Sequence, residues 1–207
     1  EHRFPGPRPR WEAGGAQFVQ EVRPFETAKL RMLNGAHSAL AYLGLARGHM
    51  HVHEAIADAH IRPLVERLMR QEAAQSLPPV PGFDVSGYAE LLLGRFSNAG
   101  LPHKLAQIAI DGSQKIPQRW LEVMSYHQRS GRQCSALLEA LAAWIRYVCQ
   151  AEVRIEDPLA DRLAGLWKSA GSAGIVDALF GPSGLFAASW IAAEADRDML
   201  QRHVRVN

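Results

Sequence analysis

Residues 29–37 read Lys-Leu-Arg-Met-Leu-Asn-Gly-Ala-His and occupy the middle of a long helical pattern. On an α-helix, Asn34 lies about 140° and His37 about 80° around the axis from Lys29, so the three side chains share one sector over about 12 Å of helix. Such a wall suits proton transfer to or from an alcohol or carbonyl oxygen, with lysine as acid or base, the amide donating to a developing alkoxide and the imidazole holding a hydroxyl. Taken by itself, the pattern also fits a surface lysine, a backbone-satisfied asparagine and a histidine at the edge of the core.

Apolar residues recur at helical spacing in nearly every segment, and no segment sustains the alternation of β-branched residues that predicts a strand. We therefore predict an all-α fold. Pro63 has to kink or split the second helix, Asp84 is expected to cap the third, and Pro117 is expected in the first turn of the fifth. The predicted helices cover about residues 25–46, 52–74, 84–96, 102–111, 117–127, 133–150, 157–170, 175–180 and 182–203.

The composition is that of a globular protein without a strongly charged surface. The 207 residues are 47% hydrophobic and 21% charged, with a formal net charge of +2. This gives no strong field to attract nucleic acid or a membrane surface, and no apolar run reaches the length of a membrane span. Two cysteines, Cys134 and Cys149, favour a reducing compartment over a disulfide scaffold. We therefore expect a cytoplasmic protein that binds neither nucleic acid nor membrane.

Residues 24–44, which contain the opening stretch, closely resemble the C-terminal-domain signature of the mannitol dehydrogenase family, the long-chain polyol and hexuronate dehydrogenases. Segments within residues 8–16 are similar to the sequence that enters the C-terminal domain in members of this family. Segments within residues 95–119 are similar to the second signature of that domain. The resemblance is dense over residues 8–120 and looser beyond. It implies a multi-helical substrate domain, similar in fold to the C-terminal domain of 6-phosphogluconate dehydrogenase.

Residues 1–15 are rich in proline and arginine and carry no apolar face, so we interpret them as a linker. In the family, a nucleotide-binding Rossmann domain precedes this segment, and its Gly-rich turn between strand and helix does not occur in this sequence. We expect residues 1–15 to lead in from an absent N-terminal domain and residues 16–207 to form the helical domain. The resemblance also implies NAD(H), bound mainly by the absent domain, and no metal.

The resemblance implies that Lys29 is the general acid and base, that Asn34 polarises the substrate carbonyl, and that His37 binds the reacting oxygen or an adjacent hydroxyl. A free lysine keeps its proton at neutral pH, so the base role requires burial that favours the neutral amine. Glu26 lies one helical turn before Lys29. It is interpreted either as part of a proton passage or as an ordinary carboxylate in the first turn of a helix.

The second signature begins Arg-Phe-Ser-Asn at residues 95–98 and is expected to contact the substrate. Arg95 is the main candidate, while Asn98 either holds the turn or binds a hydroxyl. His103 and Lys104 complete a basic cluster that would suit a sugar carboxylate, which arginine can bind through two hydrogen bonds. The alternative is a solvated basic face. Ala99 stands where the family usually has proline, which loosens the turn.

Two other groups of residues are interpreted as having no role in chemistry. Lys115 and Arg119 are expected to be structural or exposed. Residues 49–60 hold four histidines and a glutamate, but their spacing specifies no three-ligand zinc site, so we predict a solvated turn there.

Three functions remain open. The first is a hexuronate dehydrogenase that interconverts D-fructuronate and D-mannonate. The sequences of residues 41–44 and 111–115 and the basic cluster favour it. The second is mannitol 2-dehydrogenase or a related polyol dehydrogenase acting on uncharged sugars. The third is a non-catalytic helical interaction domain. The expected partners are a small sugar acid or polyol and the chain's own Rossmann domain.

Overall fold

The computed structural model describes residues 6–79, 82–149 and 155–205. Within these ranges the regular elements are helices, and His51 and Lys104 form an isolated antiparallel bridge. The predicted all-α fold is confirmed. None of the helices so described is both long and apolar enough to cross a bilayer. The linker prediction falls partly on residues 1–5, which lie outside the described residues, and Trp11–Gly14 form a short 3-10 helix just after them.

The helices are labelled here in chain order. Helix α1 passes through Arg23–Ala28, the π-helical segment Lys29–Asn34 and Gly35–Ala46. Helix α6 likewise joins Gly112–Ile116, the π-helical segment Pro117–Leu121 and Glu122–Gln128. The others are α2 (Val52–Ala57), α3 (Ile61–Arg67, continued by the π-helical segment Leu68–Ala73), α4 (Val85–Phe96), α5 (Leu105–Ala109), α7 (Ser135–Cys149), α8 (Ala160–Phe180, kinked at Gly171) and α9 (Glu194–Arg205).

Two helices form the centre of the fold. Helix α7 buries most of its residues, and the Gly35–Ala46 half of α1, which packs against it, buries residues on all its faces. A helix that is apolar all round belongs in a core. Small residues allow α1 to approach its other neighbours closely: a Cβ on Gly44 would lie 2.5 Å from Leu105 Cδ1 and 2.9 Å from Ala55 Cβ. The central helix α1 therefore also contacts α2 and α5.

The predicted second helix is split, but at Asp58 rather than at Pro63. Asp58 has an extended backbone, and its Oδ1 accepts hydrogen bonds from the N–H groups of His60 at 2.8 Å and Ile61 at 3.3 Å. A side chain that caps a helix start in this way ends α2 and begins α3. Pro63 then lies in the first turn of α3, where its missing N–H leaves no hydrogen bond unmade.

Two predicted helix boundaries were wrong. Pro117 does not lie in a first turn, because α6 begins at Gly112; the proline instead begins a π-helical segment, a local change of hydrogen bonding that accommodates it. The predicted helix over residues 182–203 exists only as Glu194–Arg205. Residues 181–190 form turns, since Gly184 packs so closely on the Leu179 carbonyl that a Cβ would lie 2.7 Å from it.

Candidate active site

The stretch 29–37 contains a π-helical segment, which corrects the geometry predicted for a regular α-helix. Lys29–Asn34 form the π-helix, and the N–H of Gly35 donates to the carbonyl of Leu30, five residues before it. In an α-helix, residues four apart share a face; with i→i+5 bonding, residues five apart do so. Lys29 and Asn34 are thus closer around the helix axis than α-helical spacing predicted, which tightens the predicted wall. Single π turns inside α-helices are frequent at functional sites.

Two partners hold the C-terminal end of this π segment from α6. Trp120 Nε1 donates to the Gly35 carbonyl at 3.0 Å, and Trp120 is fully buried. Arg119 Nη1 lies 2.8 Å from Ser38 Oγ and 3.4 Å from the Asn34 carbonyl oxygen. The π-helical segments of α3 and α6 both contact that of α1. The backbone carrying the candidate groups is therefore fixed by side chains from another helix.

The three candidate catalytic side chains are free to bind a ligand. Lys29 is exposed, while Asn34 and His37 are half-buried. No hydrogen bond or ion pair engages the Lys29 ammonium, the Asn34 amide or the His37 ring anywhere in residues 6–79, 82–149 and 155–205. The His37 ring centroid lies 4.8 Å from that of Phe96 on α4 and 6.4 Å from that of His103. These contacts orient the imidazole and leave its nitrogens available.

The surroundings of His37 keep its imidazole neutral. Burial lowers its pKa to about 4, and electrostatic interactions with His103, Arg119 and Arg95 act in the same direction. A neutral imidazole has one nitrogen that donates a hydrogen bond and one that accepts. His37 can therefore act as a hydrogen-bonding group toward a hydroxyl at neutral pH, while a base role there would fall to another residue.

The structure brings part of the second signature to this site. Arg95 and His103 both act electrostatically on His37, from the end of α4 and the following loop. The loop is fixed by backbone bonds, from the N–H of Val52 to the His103 carbonyl at 3.0 Å and from the N–H of Leu105 to the Met50 carbonyl at 2.9 Å. His103 from the predicted basic cluster is thus beside the predicted imidazole, and Arg95 is close enough to act on it electrostatically.

The remaining predicted site residues are less directly connected. Asn98 Oδ1 accepts from the N–H of Gly100 at 2.9 Å, so its side chain closes the turn. Lys104 is exposed and its backbone pairs with His51. Glu26 is exposed one turn before Lys29, and no ion pair joins the two in the described part of the chain.

Arg119 was expected to be structural or exposed, and the structure gives it the structural role. It is half-buried and contacts both the Asn34 carbonyl and the Ser38 hydroxyl. Burial also lowers the pKa of its guanidinium. The available signals were its place within the second signature and its position next to a tryptophan on an apolar helix face. Ser38, 1% exposed, was not singled out at all.

The histidine-rich residues 49–60 make local contacts. His49 Nε2 lies 3.0 Å from Asp58 Oδ2, and His51 Nδ1 lies 3.0 Å from Glu54 Oε1. Among the described residues, no three histidines, cysteines or carboxylates are placed to hold a metal ion together. His60 is exposed as predicted for a solvated turn, but the prediction was wrong for His49, His51 and His53, which are half-buried because they pack at the α1–α2 connection.

Comparison with known proteins gives consistent matches. A sequence profile of the mannitol dehydrogenase C-terminal domain matches residues 21–189. The chain is 41% identical to D-mannonate oxidoreductase of Escherichia coli over 192 residues, covering 90% of this chain and 40% of that protein. It is 37% identical to mannitol dehydrogenase 2 of Saccharomyces cerevisiae over 169 residues, covering 79% and 34%.

A solved structure matches as well. Pseudomonas fluorescens mannitol 2-dehydrogenase, in a ternary complex with NAD and D-mannitol, superimposes with a TM-score of 0.80 and 31% identity over 99% of this chain and 42% of that one. The chain therefore spans less than half the length of the relatives that it matches.

Proposed function

Because the chain belongs to the mannitol dehydrogenase family, we propose that it is the substrate-binding and catalytic part of an NAD-dependent, zinc-independent oxidoreductase that interconverts a keto sugar acid and its alcohol. The proposal is supported by the placement of Lys29 and Asn34 on the π-helical segment and of His37 one turn beyond it, and by the finding that within the described residues none of the three polar groups makes a hydrogen bond. We place the nucleotide mainly on a Rossmann domain preceding residues 16–207, with residues 1–15 as the connection.

Lys29 is the proposed acid and base. In the reducing direction its ammonium donates a proton to the carbonyl oxygen; in the oxidising direction its neutral amine accepts the proton of the hydroxyl. NAD(H), when bound, supplies or accepts the hydride at the carbon. Lys29 is exposed within this chain, so the burial that favours a neutral amine would come from the nucleotide domain closing over it. Glu26 would pass protons between Lys29 and solvent.

Asn34 and His37 are proposed to form hydrogen bonds with the oxygen atoms of the substrate. The Asn34 amide donates to the carbonyl oxygen and stabilises the alkoxide that develops on it, an interaction worth roughly 2.7–4 kcal/mol in comparable oxyanion sites. The neutral His37 ring binds the reacting oxygen or the adjacent hydroxyl and thereby fixes the substrate. Neither role requires a metal ion.

D-fructuronate and D-mannonate are the favoured substrates. The basic residues Arg95 and His103, which act electrostatically on His37, suit a carboxylate, and Lys104 and Asn98 in the same loop extend that contact. The 41% sequence identity to D-mannonate oxidoreductase of Escherichia coli supports this choice of substrates. The alternative is a polyol such as mannitol, which the names of the yeast and Pseudomonas relatives support. We also propose a cytoplasmic location, based on two buried free cysteines.

The test is NADH oxidation by the full-length protein that contains this chain, offered D-fructuronate and D-fructose separately. Turnover of fructuronate, reduced roughly 100- to 10,000-fold in Lys29→Ala, is expected for the loss of an acid/base group. Lys168→Ala, at an exposed lysine on α8, is the matched control. Preference for fructose would favour the polyol alternative, and full turnover in Lys29→Ala would leave a non-catalytic helical domain as the better explanation.

A further inference from the structure

One guanidinium joins the two ends of the segment that presents Asn34 and His37. Arg119 Nη1 is 2.8 Å from Ser38 Oγ and 3.4 Å from the Asn34 carbonyl oxygen. Asn34 is the last residue of the π-helical segment, and Ser38 lies one turn farther along α1, next to His37. Ser38 is buried, so the shorter of these contacts is shielded from water. The contact therefore spans the part of α1 where the two candidate groups emerge.

The backbone receives hydrogen bonds from another helix at this place. Where a π-helical turn gives way to an α-helix, the carbonyl groups change the N–H groups with which they pair. The Asn34 and Gly35 carbonyls lie at this junction, and both receive a donor from α6, namely Arg119 and Trp120. Hydrogen bonds to backbone carbonyls contribute to stability, so these side chains stabilise the π-to-α junction in its present form.

Arg119 also contributes charge. Three groups act electrostatically on His37: His103 from the loop after α4, Arg119 from α6, and Arg95 from the end of α4. Arginine stays protonated at any pH of interest, so its effect on His37 is permanent. Replacing Arg119 by a neutral residue should make protonation of His37 easier, whereas lysine should keep the charge effect.

We propose that Arg119 is a positioning residue for the candidate active site, holding the end of the π-helical segment through Asn34 and Ser38 so that the Asn34 amide and the His37 ring face the substrate oxygen. The inference rests on the proposed oxidoreductase function. It differs from a general stabilising role because the loss should appear at the chemical step and in the titration of His37.

The first measurement is steady-state kinetics of the full-length protein carrying Arg119→Gln. We expect kcat to fall roughly 10- to 100-fold with a smaller change in KM, because a displacement of about 1 Å in catalytic groups acts mainly on the transition state. Arg119→Lys should recover part of the loss. Arg146→Gln is the matched control, since Arg146 is a half-buried arginine that also donates to a backbone carbonyl, that of His203 on α9.

The second measurement follows the His37 ring by NMR in the full-length protein labelled with ¹³C-histidine, its signal assigned by its loss in His37→Asn. The titration midpoint is expected near 4 in the wild type. It should rise in Arg119→Gln and remain unchanged in Arg119→Lys and Arg146→Gln. A role limited to stability would lower the melting temperature and leave this midpoint in place.

The outcomes separate the two proposals. If Lys29→Ala retains full turnover, the proposed function is wrong, whatever Arg119 does. If Lys29→Ala is inactive and Arg119→Gln matches Arg146→Gln in either kcat or the His37 midpoint, the positioning role is overturned. Should Arg119→Gln fail to fold, Ser38→Ala carries the kinetic test: it removes the shorter contact alone and should lower kcat several-fold, and unchanged kcat would overturn the proposal.

Discussion

The indole Nε1 of Trp120 donates a hydrogen bond to the carbonyl oxygen of Gly35 at 3.0 Å. Gly35 lies in the first segment that resembles a family signature, and Trp120, 85 positions farther along the chain, directly follows the second. Gly35 follows Asn34 directly, so the bond lies at the base of the candidate active site. The second signature thus contributes to the site in two ways: Arg95 and His103 act electrostatically on His37, and Arg119, together with the adjacent Trp120, contacts the backbone that carries Asn34 and Gly35.

Replacing Asn34 by alanine should lower kcat roughly 100- to 1,000-fold with little change in KM, since the amide is expected to act on the developing alkoxide rather than on the bound substrate. Steady-state NADH oxidation by the full-length protein measures this. Gln118→Ala, at an exposed amide on the neighbouring α6, is the control and should behave as wild type. Equal kcat in both variants would show that Asn34 has no role in the chemical step.

Protonation of His37 should make the fold less stable in mild acid. Its pKa is lowered to about 4 in the folded chain from a usual value of 6.5. Between these values the unfolded chain binds a proton that the folded chain does not, so the free energy of unfolding falls as the pH decreases from about 6.5 to about 4. Urea unfolding of the 207-residue chain at several pH values should show a smaller acid loss for His37→Gln than for wild type. An equal loss would contradict the burial of this ring.

The sequence predicted the all-helical fold and the course of α1 because apolar spacing is set by the face that each helix buries. It could not predict the π-helical segments. A shift from i→i+4 to i→i+5 hydrogen bonding moves the side chains by only part of a turn, so the apolar spacing hardly changes. Because the sequence did not predict a π-helical segment, Pro117 was interpreted as the start of a helix. The contacts of Arg119 with Asn34 and Ser38 could not be predicted, because they depend on the packing of α6 against α1. The turns at 181–190 depend in the same way on the close approach of Gly184 to Leu179.

Two glycine substitutions should have opposite effects on stability. Gly44→Ala would place a Cβ 2.5 Å from Leu105 Cδ1 and 2.9 Å from Ala55 Cβ, so we expect a loss of about 1–3 kcal/mol from overpacking. Gly94→Ala, inside α4 with nothing within 4 Å of the new Cβ, should instead stabilise by about 0.5–1 kcal/mol because alanine favours helix. Urea unfolding of both variants measures the difference. Stabilisation by Gly44→Ala would show that α1 does not approach α2 and α5 so closely.

Glu72 should stabilise the start of α7. Its two carboxylate oxygens accept hydrogen bonds from the N–H groups of Ala136 and Leu137, each at 2.9 Å, in a buried setting. Glu72→Ala leaves these donors without a partner, and we expect a loss of about 1–3 kcal/mol for each buried unsatisfied group. Glu90→Ala, which breaks an exposed pair with Arg70, should cost no more than about 1 kcal/mol. Similar losses in the two variants would argue against the cap.

Arg95 should decide between a sugar acid and a neutral sugar. It is exposed on the chain as described, yet its charge is close enough to act on His37, so it can reach a substrate carboxylate held beside that ring. Arg95→Gln removes a guanidinium that can bind a carboxylate through two charge-assisted hydrogen bonds. Such bonds are worth about 1.5–3 kcal/mol, so we expect KM for D-fructuronate to rise roughly 10- to 100-fold.

The same substitution should change turnover of D-fructose little, because an uncharged ketose presents no carboxylate to Arg95. Arg162→Gln, at an exposed arginine on α8, controls for a general loss of positive charge and should leave KM for both substrates unchanged. Equal losses for both substrates in Arg95→Gln would indicate that Arg95 binds hydroxyl groups. That result would favour the polyol alternative over the hexuronate, since the charge would then contribute nothing to the choice of substrate.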